Sequence, residues 1–145
     1  MPYWRLFYHF VWGTKKGELF IEREWENSLH NVIVAKSAEL EALVHAVGGI
    51  DNHIHLVVSV PPKTALSTFI GQVKGNSSHW VNHELHPGYY FAWQAEYGVV
   101  SFGGKQLDMV VRYVHNQRKH HAEGTLIPML EEVNSLEAGG NEPPS

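Results

Sequence analysis

The sequence predicts an α+β protein, an antiparallel sheet with helices on one face and one further helix added on the C-terminal side. Two observations predict it. Four short stretches carry strand signals and three longer ones carry helical spacing, in the order β-α-β-β-α-β-α. The composition agrees: 145 residues with 43% apolar and 18% charged side chains can bury one core, and not two.

Residues 3–14 (YWRLFYHFVWGT) are rich in aromatics and read as a strand. The GTKKGE stretch that follows is a turn. From Glu22 to about Glu39, Trp25, Leu29, Val32, Ile33 and Leu40 recur at helical spacings. Residues 41–47 (EALVHAV) read as a short strand that Gly48-Gly49 breaks, and Asp51-Asn52 offers turn chemistry. Residues 53–60 (HIHLVVSV) carry the strongest strand signal in the chain, ended by Pro61-Pro62, which cannot supply ladder hydrogen bonds. Residues 64–85 read as helical, capped by Thr64 or Ser67 and divisible at Lys74-Gly75-Asn76. Residues 97–102 form the last strand, and a helix runs from about Lys105 to His121. Two βαβ halves of this kind build the split βαβ, ferredoxin-like (RRM-like) arrangement. The final helix is an addition to it.

Residues 1–130 are expected to form a single domain, with 131–145 an acidic, disordered tail. The net charge of −4 resides in that tail: its four glutamates leave 11 acids against 11 bases in residues 1–130. Within the neutral body, Lys105, Arg112, Arg118 and Lys119 face one acid, Asp108, between residues 105 and 121. That segment suits phosphate contacts, although a solvated helix face has the same composition. The absence of cysteine excludes a disulfide scaffold, a thiolate metal site and a cysteine nucleophile. No apolar run reaches the roughly 18 residues of a membrane span. The aromatic opening stretch, carrying Arg5 and His9, lacks the plan of a secretory signal. A cytoplasmic protein is expected.

Two groups of residues carry chemistry. In His53-Ile54-His55, alternation along a strand sends both imidazoles to one face and Ile54 to the other. Two polar histidines on the outer face of a half-buried strand would look the same. Tyr113 and Gln117 stand four residues apart on a helix whose apolar stripe is Leu107, Val110, Val111 and Val114, which leaves the pair along its flank. A boundary aromatic and a solvated amide would also fit. Taken together, two imidazoles and an amide oxygen suit Mg²⁺ or Mn²⁺ with positions open for phosphate and water. Such an ion offsets charge on a phosphoryl group, and a nearby tyrosine can attack phosphorus. The spacing of His79 and His83 is that of a helical metal pair, but no carboxylate completes a His-Glu-x-x-His pattern.

Five segments in order resemble the HUH single-tyrosine transposases, a family of small insertion-sequence enzymes and transposases associated with repetitive extragenic palindromes. They are FYHFVWGTKKGELF, GIDNHIHLVVSVPP, FIGQVKGNSSHWVN, FAWQAEYGVVSFG and RYVHNQ. The resemblance implies that Tyr113 is the nucleophile and that His53, His55 and Gln117 hold Mg²⁺ or Mn²⁺. It implies cleavage and rejoining of single-stranded DNA, often beside a hairpin, through a 5′-phosphotyrosine. It also implies a homodimer in which the tyrosine helix can complete the partner's site. No membrane and no nucleotide cofactor enter. Lys74 lies in the matching Lys-Gly-x-Ser segment and is a candidate DNA contact, as are Lys15, Lys16, Arg112, Arg118 and Lys119. The neutral body departs from the usual basic character of the family, so weak, salt-sensitive binding is expected. A domesticated hairpin-binding protein without cleavage is the alternative. A metal-free RNA-binding ferredoxin-like domain is a third reading, disfavoured because His-x-His occupies the face where stacking aromatics would be wanted.

Overall fold

The structure, a computed structural model, describes residues 3–133. Four strands form one antiparallel sheet: β1 (Phe7–Gly13), β2 (Leu43–Ile50), β3 (His53–Ser59) and β4 (Gly98–Phe102), in the spatial order β2-β3-β1-β4. Helices α1 (Arg23–Glu39) and α2 (Leu66–Trp80) cover one face. Helices α3 (Leu107–His115), α4 (Gln117–Glu123) and α5 (Pro128–Glu131) follow the last strand. This is the expected split βαβ arrangement with a C-terminal addition.

The period-two alternation divides the strands between two cores. Phe10 and Trp12 of β1 and Ile54, Leu56 and Val58 of β3 point one way, onto Trp25, Leu29 and Ile33 of α1 and Phe69, Ile70 and Val73 of α2. On the opposite face, Ala46 and Val57 pack beneath Val110, Tyr113 and Val114 of α3 and Leu130 of α5. The outer face of β3 is therefore largely covered, which buries His55 fully and His53 in part.

Several boundaries differ from the expectation. Strand β1 begins at Phe7, where its partner strand also ends, since Phe7 lies opposite Phe102. Tyr3 lies outside the sheet and is exposed. The Gly48-Gly49 pair does not end β2, which pairs with β3 as far as Ile50, opposite His53. Close approach explains Gly48: a Cβ there would overlap the Val114 carbonyl oxygen of α3. Gly98 of β4 serves the segment after α5 in the same way, lying against the Glu132 carbonyl.

Helix α2 passes through Lys74-Gly75-Asn76 without dividing. Its buried face is continuous there, with Val73 and Ser77 both inside and Trp93 Nε1 donating to Ser77 Oγ at 3.0 Å. Ala65 stands at its N-cap, so neither Thr64 nor Ser67 caps it. A single π-helical turn, Val81–Leu85, extends it to the expected end. The helix expected over 105–121 breaks at Asn116, whose φ of −107° and ψ of 29° leave the helical region. Asparagine readily supplies such a break. The amide of Asn116 is shared between the carbonyls of Arg112 and Tyr113 at 3.1 and 3.3 Å. The expected tail begins too early: Glu131 belongs to α5, and residues 134–145 lie outside the described residues.

The seating of α3 on Gly48 is directly testable. Gly48→Ala should lower stability by about 1–3 kcal/mol, as overpacked substitutions do. Gly71→Ala in α2, where a Cβ meets nothing within 4 Å, should be neutral or stabilise by about 0.5–1 kcal/mol. Urea unfolding of the two variants against the parent checks both.

Candidate functional site

The centre of the site is the outer face of β3. His53 and His55 project from it side by side, with ring centroids 5.0 Å apart. Each has its Nδ1 engaged, His53 with Asn52 Oδ1 at 2.9 Å and His55 with His9 Nε2 at 2.8 Å. Both Nε2 atoms turn toward Glu131 Oε1, at 3.7 Å from His53 and 3.3 Å from His55. Gln117, buried at the start of α4, brings its Oε1 to 3.2 Å from His53 Nε2. His121, one helical turn on, places its Nε2 3.2 Å from the same atom.

Tyr113 enters from α3. It is not on the flank of that helix but in its core stripe, with Val110 and Val114, and is only 3% exposed. Its ring stacks on His120 at 4.6 Å and stands edge-on to His55 at 6.0 Å. Its hydroxyl donates to Glu131 Oε2 and accepts the Ile127 amide at 3.1 Å. The hydroxyl is thus closed in by the segment that leads into α5. Glu131 spans the site, with one carboxylate oxygen at the tyrosine and the other at the histidines. A cleft of about 350 Å³ opens alongside, lined by Asn52, His53, Gln94, His121 and Glu131.

Burial dominates the electrostatics. It holds His9 neutral, with its pKa lowered to about 3, helped by neighbouring His55 and opposed by Glu131. It likewise lowers His53 to about 4, with His55 acting in the same direction and Gln117 and Glu131 opposing. Burial and the hydrogen bond to Glu131 push the Tyr113 phenol up to about 12. Burial alone would raise the Glu131 carboxyl, but His55, with Tyr113 and His53 behind it, brings it down to about 2.

The donor set fits a divalent cation. His55 Nε2 is buried without a hydrogen-bond partner. His53, His55 and Glu131 each present a ligand atom, all within 4.8 Å of one another, and they are the group of this kind found among the described residues. Lone pairs on two imidazoles, an amide oxygen and a carboxylate crowd one small volume, which is costly unless a proton or a cation lies among them. Mixed nitrogen and oxygen ligands of this kind suit a divalent ion.

The structure thus brings Tyr113, His53, His55 and Gln117 together. It leaves the candidate DNA-contacting bases dispersed. Lys74 Nζ donates to the loop carbonyls of Gln94 at 2.7 Å and Glu96 at 3.1 Å. Arg118 pairs with Glu26 at 2.9 Å. Lys15, Lys16, Arg112 and Lys119 are exposed. His79 and His83 stack on each other at 4.2 Å and form no group of three ligands. Three members of the site escape a reading of the sequence. His121 was within reach, standing four residues beyond Gln117. His9 needed the strand register, and Glu131 carries no periodic signal at all.

The family described as "Transposase IS200 like" matches residues 2–117. The chain belongs to the IS200-like transposase family. No curated protein matches this family member. Among solved structures, one described as a transposase from Deinococcus radiodurans is 19% identical, with a TM-score of 0.61, covering 81% of this chain and 95% of its own. Another, a REP-associated tyrosine transposase bound to a REP hairpin, is 14% identical, with a TM-score of 0.59, covering 98% of this chain and 99% of its own. At such identities these neighbours show that this transposase family member shares their fold. No helix among its described residues is long and apolar enough to cross a membrane.

Two predictions follow from the site's burial. His9 and His53 are kept neutral in the fold, so below pH 6.5 the unfolded chain binds more protons than the native one. Stability should therefore fall as pH drops from about 6.5 toward 4, by up to about 1.4 kcal/mol per pH unit for each histidine. Tyr113 acts at the other end, its contribution being present below pH 10 and lost as pH rises toward 12. Urea midpoints across pH should show both limbs, and His9→Gln should flatten the acid one. Separately, Tyr113 should resist nitration by tetranitromethane while Tyr90, 78% exposed, reacts readily. A chain shortened after Gly124 should nitrate at Tyr113 as well, as peptide mass spectrometry would reveal.

Proposed function

We propose that this transposase cuts and rejoins single-stranded DNA beside a hairpin, with Tyr113 as the nucleophile and a divalent ion held by His53, His55, Gln117 and Glu131. The observation that carries this reading is Glu131, which joins the Tyr113 hydroxyl to both histidines through one carboxylate. Bound there, Mn²⁺ or Mg²⁺ would supply Lewis-acid stabilisation of negative charge on the phosphate.

The chain's own groups account for the remaining chemistry. Tyr113 Oη attacks phosphorus, and its proton passes along the existing hydrogen bond to Glu131. The bond from phosphorus to the 3′ oxygen breaks, leaving a 5′-phosphotyrosine and, once protonated, a 3′-hydroxyl. Attack by a 3′-hydroxyl on the phosphotyrosine reverses the step and joins the strand. A phenol raised to about 12 is a poor nucleophile at neutral pH. Part of the rise comes from the Glu131 carboxylate, so neutralising that charge with a cation favours the phenolate. A phosphodiester reaches Oη once the Ile127 amide gives up the hydroxyl, with Glu131 kept between the tyrosine and the histidines.

One chain supplies the histidines, the amide and the tyrosine, which supports action in cis. In a homodimer each copy would need no tyrosine from its partner. Hairpin DNA as the substrate is supported by the neighbour of the same fold that is bound to a REP hairpin. With Lys74 and Arg118 engaged internally, Lys15, Lys16, Arg112 and Lys119 are the phosphate contacts of this reading, and binding should weaken steeply with salt.

The test is a denaturing gel of the protein with labelled single-stranded oligonucleotides, hairpins from its own genomic flanks among them. A band that survives denaturation should appear with Mn²⁺, vanish with chelator, and be absent in Tyr113→Phe. His53→Ala and His55→Ala should lower its yield at least about 100-fold, the scale expected when a metal site is lost. Covalent attachment that survives Tyr113→Phe would overturn the assignment. A native-gel shift without covalent product in any metal would instead indicate a hairpin-binding protein.

A further inference from the structure

We infer that His9 is a positioning residue, which holds His55 in the tautomer that leaves Nε2 free for the cation. The inference rests on the metal reading above. It concerns a residue of β1 that touches neither tyrosine nor DNA in that scheme. In the β1–β3 register His9 lies opposite Val57 and Val11 lies opposite His55, so the two histidines are diagonal neighbours on one face. Their rings are 4.9 Å apart and inclined by 25°, and His9 Nε2 meets His55 Nδ1 at 2.8 Å. Both side chains are buried, so no bulk water substitutes for either partner.

A neutral imidazole carries one proton, and a hydrogen bond to one ring nitrogen decides the state of the other. His53 illustrates this within the same site. Its Nδ1 faces the Asn52 amide oxygen at 2.9 Å and its Nε2 the Gln117 amide oxygen at 3.2 Å, both of which only accept, so a cation taken by Nε2 and Gln117 together would leave the proton on Nδ1. His55 has no such amide. Among the described residues the side chain that meets its Nδ1 is that of His9, whose Nε2 accepts when the His9 proton sits on Nδ1. Backbone carbonyls, carboxylates and water usually play this part for metal-bound histidine. Here a second histidine from the neighbouring strand does so. With both Nδ1 atoms held, both Nε2 atoms converge on the Glu131 oxygen.

The test combines affinity and spectroscopy on the full chain. Mn²⁺ affinity, read by electron paramagnetic resonance of the free ion, should fall about 10–100-fold in His9→Leu. His9→Gln, whose amide oxygen can accept where Nε2 did, should recover most of it, which a purely steric role would not produce. In the Mg²⁺-loaded wild-type protein, long-range proton–nitrogen NMR should find the His55 proton on Nδ1. A proton on Nε2 there overturns the inference even if His9→Leu fails to fold. So does His9→Leu binding Mn²⁺ within about threefold of wild type, well short of that range. A wild-type protein that binds no Mn²⁺ overturns the metal reading itself, and this inference with it.

Discussion

Everything at this site depends on how closely the C-terminal helices approach the sheet. A ferredoxin-like sheet with helices on one face leaves its other face in water, where adjacent histidines would be ordinary polar residues. In this protein α3 presses onto β2 at Gly48, and the chain after α5 presses onto β4 at Gly98, positions where no side chain intervenes. That contact buries His9 and His55, brings Gln117 to His53, and carries Tyr113 and Glu131 over the same face. Low dielectric then strengthens every interaction among them and penalises every unpaired polar atom.

The penalty has a visible remainder at the Nε2 of His55, which faces Glu131 Oε1 at 3.3 Å without forming a hydrogen bond. Most polar atoms of the site are paired: Tyr113 with Glu131 and Ile127, His9 with His55, and His53 with Asn52. What remains is a set of lone pairs directed into one volume. Such an arrangement is expensive for a fold to keep unless a cation uses it. Glu131 gives the volume its negative charge and ties it to the tyrosine, so a cation bound there would be coupled to the acidity of the phenol through one carboxylate.

Charge also distinguishes this chain from a strongly basic DNA-binding protein. Its bases and acids balance through residue 130, and two of the candidate contacts are engaged inside the molecule, Lys74 with loop carbonyls and Arg118 with Glu26. A short list of exposed bases remains to meet phosphate. Discrimination would then rest more on the shape of the folded strand than on long-range attraction.

The sequence by itself determined the element order as far as α3, the fold class and the local geometry of the histidine motif. Period two sets His53 and His55 on one face, a consequence of backbone geometry within one strand, whereas Tyr113 and Gln117, four residues apart, fall on two helices that part at Asn116. Those spacings, with three further segments, point to the family. Tertiary structure decided the rest. Whether the histidine face was solvated or covered could not be read from alternation, since both states alternate alike. Gly48-Gly49 looked like a strand end because a glycine pair marks a break and a close packing contact equally well. The turn at Asn116, which buries Gln117, and the inward position of Tyr113 depend on what α3 packs against. His9 meets His55 only through the register of two strands 46 residues apart in sequence, and Glu131 reaches Tyr113 only after two further turns of chain. Local spacing encodes the direction of a side chain; which distant residue it meets is set by register and layer packing.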